Sequence, residues 1–123
     1  MKAPKHYAPK HYIEEIISRL SDLEPHKIVL FGSQASGTSG DDSDIDLLVV
    51  LDSNAISQTY EEKMAKKLSV RDRILDISKA ISVDLVVYTK AEYEMLAAAR
   101  GSFVGEVDTT GRVLYEKTGS GVA

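Results

Sequence analysis

The chain contains no cysteine. A disulfide framework, a cysteine-based zinc site and thiol catalysis are therefore excluded, and the redox compartment leaves no signature. Long apolar runs are also missing. The longest, residues 47–51 and 95–99, fall far short of the ~20 residues needed to cross a bilayer. The N-terminus has no apolar core of the kind a secretory signal needs, so the chain reads as cytoplasmic, with no membrane partner. Nor is there an excess of basic charge. Fifteen Lys and Arg stand against 19 Asp and Glu, a net charge of −4, which disfavours nucleic-acid binding as the main activity while allowing a local anion site. What is present is an ordinary globular composition, 43% hydrophobic and 28% charged over 123 residues. It is enough for one domain with its own core.

A direct repeat opens the chain: Ala3-Pro4-Lys5-His6-Tyr7, then Ala8-Pro9-Lys10-His11-Tyr12. Two prolines oppose a helix, so residues 1–12 are expected to form a flexible, solvated arm. A basic, aromatic arm that touches a partner or nucleic acid is the other reading. His6 and His11 lack a third ligand for a metal. Ile13, Ile16, Ile17, Leu20 and Leu23 then recur at helical spacing, and Pro25 ends that helix. Lys27–Phe31 reads as a buried strand. A small-residue loop covers 32–43, and its 33–36 part could start a helical turn. A second strand covers 44–51.

Residues 57–80 form the longest helical candidate, with two neighbouring apolar stripes. One holds Met64, Leu68 and Leu75; the other holds Val70, Ile74, Ile77 and Ile81. One stripe should cover a sheet, and the other an internal helix or a partner chain. A strand at 82–88 and a helix at 90–100 follow. Residues 101–111 are ambiguous, and Arg112–Glu116 reads as a last strand. The expected organisation is an arm at 1–12, one domain at 13–117 and a polar flexible tail at 118–123. The alternation of strands and helices predicts an α/β (α+β) fold, a sheet with helices packed on it.

Chemistry concentrates in residues 32–46 and at Asp84. A glycine directly after a buried strand, as at Gly32-Ser33, lets the backbone approach a ligand, and a following helical turn would aim N–H groups at phosphate oxygens. Alone this is usually only a turn. Asp44 and Asp46 stand two apart at the start of an apolar strand, so both carboxylates leave the same face. Asp44, Asp46, Leu48 and Val50 share one face; Ile45, Leu47, Val49 and Leu51 share the other. A strand apolar on both faces is buried on both. Adjacent buried carboxylates repel and call for a cation, and hard oxygen ligands suit Mg²⁺. Asp84 interrupts Val83, Leu85, Val86 and Val87 and asks for a partner too. Three carboxylates on one or two Mg²⁺ ions form the clamp used for in-line phosphoryl or nucleotidyl transfer.

Each feature has a plainer reading. Asp44 can be a strand-start residue beside turn formers Asp41, Asp42 and Ser43, and Asp84 a satisfied core acid. A calcium loop begun at Asp42 fails, because Leu47 and Ser53 stand where glycine and glutamate are required. Taken jointly, the spacing favours the catalytic reading.

Gly32-Ser33, ten residues, Asp44-Ile45-Asp46-Leu47 and a later lone Asp in an apolar strand resemble the DNA polymerase beta-type nucleotidyltransferase superfamily. In size the chain is similar to its minimal nucleotidyltransferases, often encoded beside a HEPN-domain partner as toxin–antitoxin pairs. Gly111-Arg112-Val113-Leu114-Tyr115-Glu116 is similar to the family's closing strand. The resemblance implies a mixed β-sheet flanked by helices. It implies that Gly32 and Ser33 bind the triphosphate of ATP or another NTP, and that Asp44 and Asp46 hold two Mg²⁺ ions. Asp84 would hold the acceptor-side ion and act as general base. One position departs. Family members often read Gly-Ser-x-Ala-Arg-Gly, and Ser36 stands in place of that arginine. Arg71, Arg73, Arg100 and Lys66 are the candidate replacement cations.

The resemblance further implies transfer of a nucleoside monophosphate, AMP foremost, to a hydroxyl such as a tyrosine of a partner HEPN toxin, with this chain as antitoxin. Two alternatives stay open. One is a non-catalytic antitoxin that neutralises its partner by contact through the apolar sector of 57–80. The other is a small-molecule (antibiotic) nucleotidyltransferase acting as a homo-oligomer.

Overall fold

A computed structural model of the chain describes residues 9–32, 44–99 and 101–117. Ser33, the turn placed at 33–36, Arg100 and the tail at 118–123 lie outside the described residues.

The first helix, α1, spans Pro9–Leu20. It begins inside the repeat, so residues 9–12 are helical, where the two prolines are expected to oppose a helix. Pro9 sits at the first helical position, where a missing N–H breaks no bond and the fixed φ suits the helix. Ile16 and Leu20 are fully buried beneath it. A 3₁₀ turn, Ser21–Leu23, and a left-handed Glu24 (φ 49°) swing the chain into the sheet.

The sheet has four strands: β1 (Lys27–Phe31), β2 (Ile45–Leu51), β3 (Val83–Thr89) and β4 (Arg112–Glu116), in the order β3-β2-β1-β4. β1 pairs antiparallel with β2 and with β4, while β2 and β3 run parallel, so the sheet is mixed. β2 lies inside it and is apolar on both faces, as its alternation requires. Ile45, Leu47 and Val49 pack with Ile16, Leu20, Val70, Ile74 and Ile77 on one side. Leu48 and Val50 pack with Val29, Tyr93, Val104 and Val107 on the other.

The helical stretch at 57–80 is two helices: α2 (Tyr60–Arg73) and α3 (Leu75–Ala80). The ladder breaks at Ile74, with φ −124° and ψ 23°, whose N–H reaches back three residues to the Arg71 carbonyl. Arg19 of α1 holds this joint. Its guanidinium forks onto both Asp76 carboxylate oxygens (2.5 and 3.0 Å) and donates to the freed Arg73 carbonyl (3.4 Å). Helix α4 (Lys90–Ala97) is shorter than the stretch expected at 90–100. The ambiguous 101–111 stretch contains α5 (Phe103–Thr110), started by Ser102, whose hydroxyl accepts the Gly105 N–H at 2.9 Å. Helices α1 to α3 cover one face of the sheet; α4 and α5 cover the other. Among the described residues no helix is long and apolar enough to cross a membrane.

Candidate active site

Three strand ends meet at one rim of the sheet. β1 leaves it at Phe31, and β2 and β3 both begin there. The register sets Phe31 opposite Asp46, and Asp46 opposite Asp84. Asp44 precedes the first residue of β2. The three acids of the sequence pattern thus face the same rim. They are less buried than the apolar run predicts: Asp46 is half-buried, while Asp44 and Asp84 are exposed. The cause is position, because strand ends project past the layers of helices that bury the strand centres.

Gly32 follows β1 directly, with φ +77°. A side chain there would be strained by the backbone and blocked by its neighbour, since a Cβ built on Gly32 overlaps the Asp46 carboxylate oxygen Oδ2. The β1 turn therefore closes against the β2 acid. Ser33 lies outside the described residues.

The electrostatics agree with a cluster. The Asp46 carboxyl is pushed above the ordinary carboxylate range, first by burial, then by the charges of Asp84 and Asp44. Every resolved influence on it is unfavourable to the anion. Among the described residues no three acids or histidines stand close enough together to hold a metal ion as they are. The carboxylates converge in electrostatic reach and not in coordination geometry. The donor set nonetheless suits a hard divalent cation: all oxygen, anionic, open to solvent on two members and under-neutralised on the third.

The candidate replacement cations sort clearly. Arg71 lines a cleft of about 310 Å³ together with Lys67, Ser78, Ser82 and Asp84. Lys66 is committed elsewhere, its ammonium 2.9 Å from the buried Glu92. Arg73 lies at the α2–α3 joint and is absent from that cleft. Arg100 lies outside the described residues.

Glu92 itself was not singled out by sequence reading. It is 5% exposed. Its carboxylate accepts from Lys66 Nζ (2.9 Å), Thr89 N (2.9 Å) and Ser57 N (2.7 Å), joining α4, α2 and the segment between β2 and α2. Burial pushes its pKa up, but the Lys66 ammonium and the two N–H donors outweigh that and hold it at about 2. The signal was present: Thr89-Lys90-Ala91-Glu92 has the spacing of a capping box, and the box forms.

Residues 13–119 match the profile of the family described as polymerase beta, nucleotidyltransferase. No protein of the curated set matches. Solved structures similar to this chain include the following two. One is a candidate nucleotidyltransferase from Sulfolobus solfataricus, 23% identical, with 94% of this chain and 91% of that chain covered and a TM-score of 0.46. The other is a toxin–antitoxin structure with AMP-PNP, 20% identical, with 89% and 74% covered and a TM-score of 0.47.

Proposed function

The chain belongs to the polymerase beta nucleotidyltransferase family, and on that premise we propose that it transfers a nucleoside monophosphate, AMP from ATP foremost, to a hydroxyl acceptor. The observation that carries this reading is the meeting of Gly32, Asp44, Asp46 and Asp84 at one rim, with Asp46 under-neutralised between the other two acids. Asp44, Asp46 and Asp84 are the residues that would hold Mg²⁺. When bound, the ions neutralise the phosphates and make the acceptor hydroxyl more acidic.

The chain's own residues do the rest. The backbone at Gly32 and Ser33 receives the triphosphate. Asp84 takes the proton of the acceptor hydroxyl. The acceptor oxygen then bonds to the α-phosphorus, the bond from that phosphorus to the oxygen bridging to the β-phosphate breaks, and pyrophosphate leaves with the electron pair. The acceptor is a tyrosine of a HEPN-domain toxin, which makes the chain an antitoxin. Resemblance to the minimal members of the family supports that part.

The test is melting temperature against ATP, GTP, CTP and UTP with Mg²⁺, for wild type and Asp44→Asn/Asp46→Asn. A ligand at a hundred times its Kd stabilises by about 2.7 kcal/mol. A nucleotide-selective rise in wild type that vanishes in the double variant is expected. No rise with any nucleotide overturns the donor site.

A second reading is a contact-only antitoxin. Leu68 and Leu75, on the outer side of α2 and α3, are exposed by 45% and 40%, as an interface would leave them. Full neutralisation of the partner by Asp44→Asn/Asp46→Asn would favour it.

A further inference from the structure

We propose that the groove between α2 and the open edge of β3 docks an extended, acidic peptide segment, which delivers the acceptor hydroxyl to Asp84. The inference rests on the nucleotidyl-transfer reading for the hydroxyl's fate, and on independent geometry for the docking.

β3 is an edge strand. It pairs with β2 on one side, and among the described residues no strand pairs with it on the other. Successive residues 82–85 line the first cleft and 85–88 a second one of about 200 Å³, and the two share Lys67 and Leu85. Alternate residues of a strand point to opposite faces. A continuous run from both faces in one groove therefore means that the groove follows the strand's edge. An extended peptide can pair with such an edge through main-chain hydrogen bonds.

The facing wall is cationic. Lys63, Lys67 and Arg71 recur at every fourth position of α2 and all line the groove, whereas Glu61 and Glu62 of the same helix do not. None of the three cations is in an ion pair among the described residues. This local row stands on a chain of net charge −4.

Lengths match as well. Lys63 to Arg71 spans about 12 Å along a helix, and Tyr88 to Asp84 about 13 Å along a strand. Arg71 lies at the Asp84 end and Lys63 at the Tyr88 end. A segment paired with β3 would thus put its acceptor residue beside Asp84 and its acids along the lysines, within about four residues on one side. A second copy of the chain would set two cationic rows against each other. A single-stranded nucleic acid would leave the strand edge unused.

The probe is a fluorescent glutamate–tyrosine copolymer, with a lysine–tyrosine copolymer and oligo(dT) beside it. Binding is read by anisotropy at low and high salt. Generic polyelectrolyte attraction works against the acidic probe, because the whole chain is acidic. Wild type should bind the glutamate copolymer at least tenfold more tightly than Lys63→Glu/Lys67→Glu, with Lys63→Gln/Lys67→Gln between them, all three giving the same circular dichroism. No binding of the acidic copolymer at low salt overturns the proposal, as do equal binding by wild type and folded variants or tighter binding of oligo(dT). The melting rise with Mg²⁺ and ATP is recorded in parallel. Acidic binding without that rise sinks nucleotidyl transfer and leaves the docking; the rise without acidic preference does the reverse.

Discussion

Replacing Glu92 by glutamine tests the tie that positions α2, the cationic wall of the groove. The substitution keeps size and shape. It removes the charge and turns one acceptor into an N–H donor. The carboxylate accepts from three donors, with Lys66 and Thr89 on one oxygen and Ser57 on the other. An amide can satisfy only one of these oxygens' roles. The magnitude follows from the proton affinity. The ordinary glutamate value of 4.5 falls to about 2 in the folded protein. At about 1.4 kcal/mol for each tenfold change, the environment favours the anion by about 3 kcal/mol. The Lys66 side chain is 20% exposed, so water recovers part of what it loses, and a cost of about 2–3 kcal/mol is expected. With an unfolding entropy of about 2.1 cal/mol/K per residue, that lowers Tm by about 10 °C.

The pH dependence has a definite sign. The folded pKa lies below the unfolded one, so Glu92 stabilises above the unfolded value, and that contribution is lost as pH falls from 4.5 toward about 2. Urea unfolding of wild type and Glu92→Gln at pH 7, 4.5 and 3.5 should show a full gap at neutral pH that narrows at the two lower values. In a Lys66→Met background the same substitution should cost less. A loss under about 1 kcal/mol at pH 7, or a gap constant across that range, would refute the assignment of Glu92 as a charged hub.

Two further outcomes are expected. Gly32→Ala should cost about 1–2 kcal/mol of stability from its left-handed backbone. It should also turn the Asp46 carboxylate aside, lowering nucleotide incorporation about a hundredfold; wild-type incorporation by a folded variant would contradict the close approach. Asp84→Asn should abolish turnover while keeping most of the melting rise with Mg²⁺ and ATP, because Asp84 lines the acceptor groove. A loss of that rise equal to the loss in Asp46→Asn would remove Asp84 from the acceptor side.

The two interior strands were legible because burial writes itself locally. Lys27–Phe31 and Arg112–Glu116 are the strands read from the sequence; β2 differs from it by one residue at its start and β3 by one residue at each end. An interior strand must be apolar on both faces, and few other local structures leave that pattern. Helix ends were harder to read. The periodicity of Val70, Ile74 and Ile77 continues across residue 74, so nothing local announces the break; the fork of Arg19 onto Asp76, far away in sequence, holds it. The α5 stretch has too few apolar residues to declare a period. Its helix depends on the Ser102 cap and on Val104 and Val107 finding Val29 and Val50.

The same division holds for the site. Sequence by itself determined that Asp44 and Asp46 share a face, that Gly32 ends a buried strand, and that Asp84 stands out of an apolar run. These are properties of period and composition, and they need no partner. Only the tertiary structure decided that Asp84 sits opposite Asp46, because that is a parallel register between strands joined through two helices. It alone committed Lys66 to Glu92, left Arg71 beside Asp84, and lined Lys63, Lys67 and Arg71 along an open strand edge. Those are meetings of residues distant in the chain, and no local pattern encodes which distant residue a charge will face.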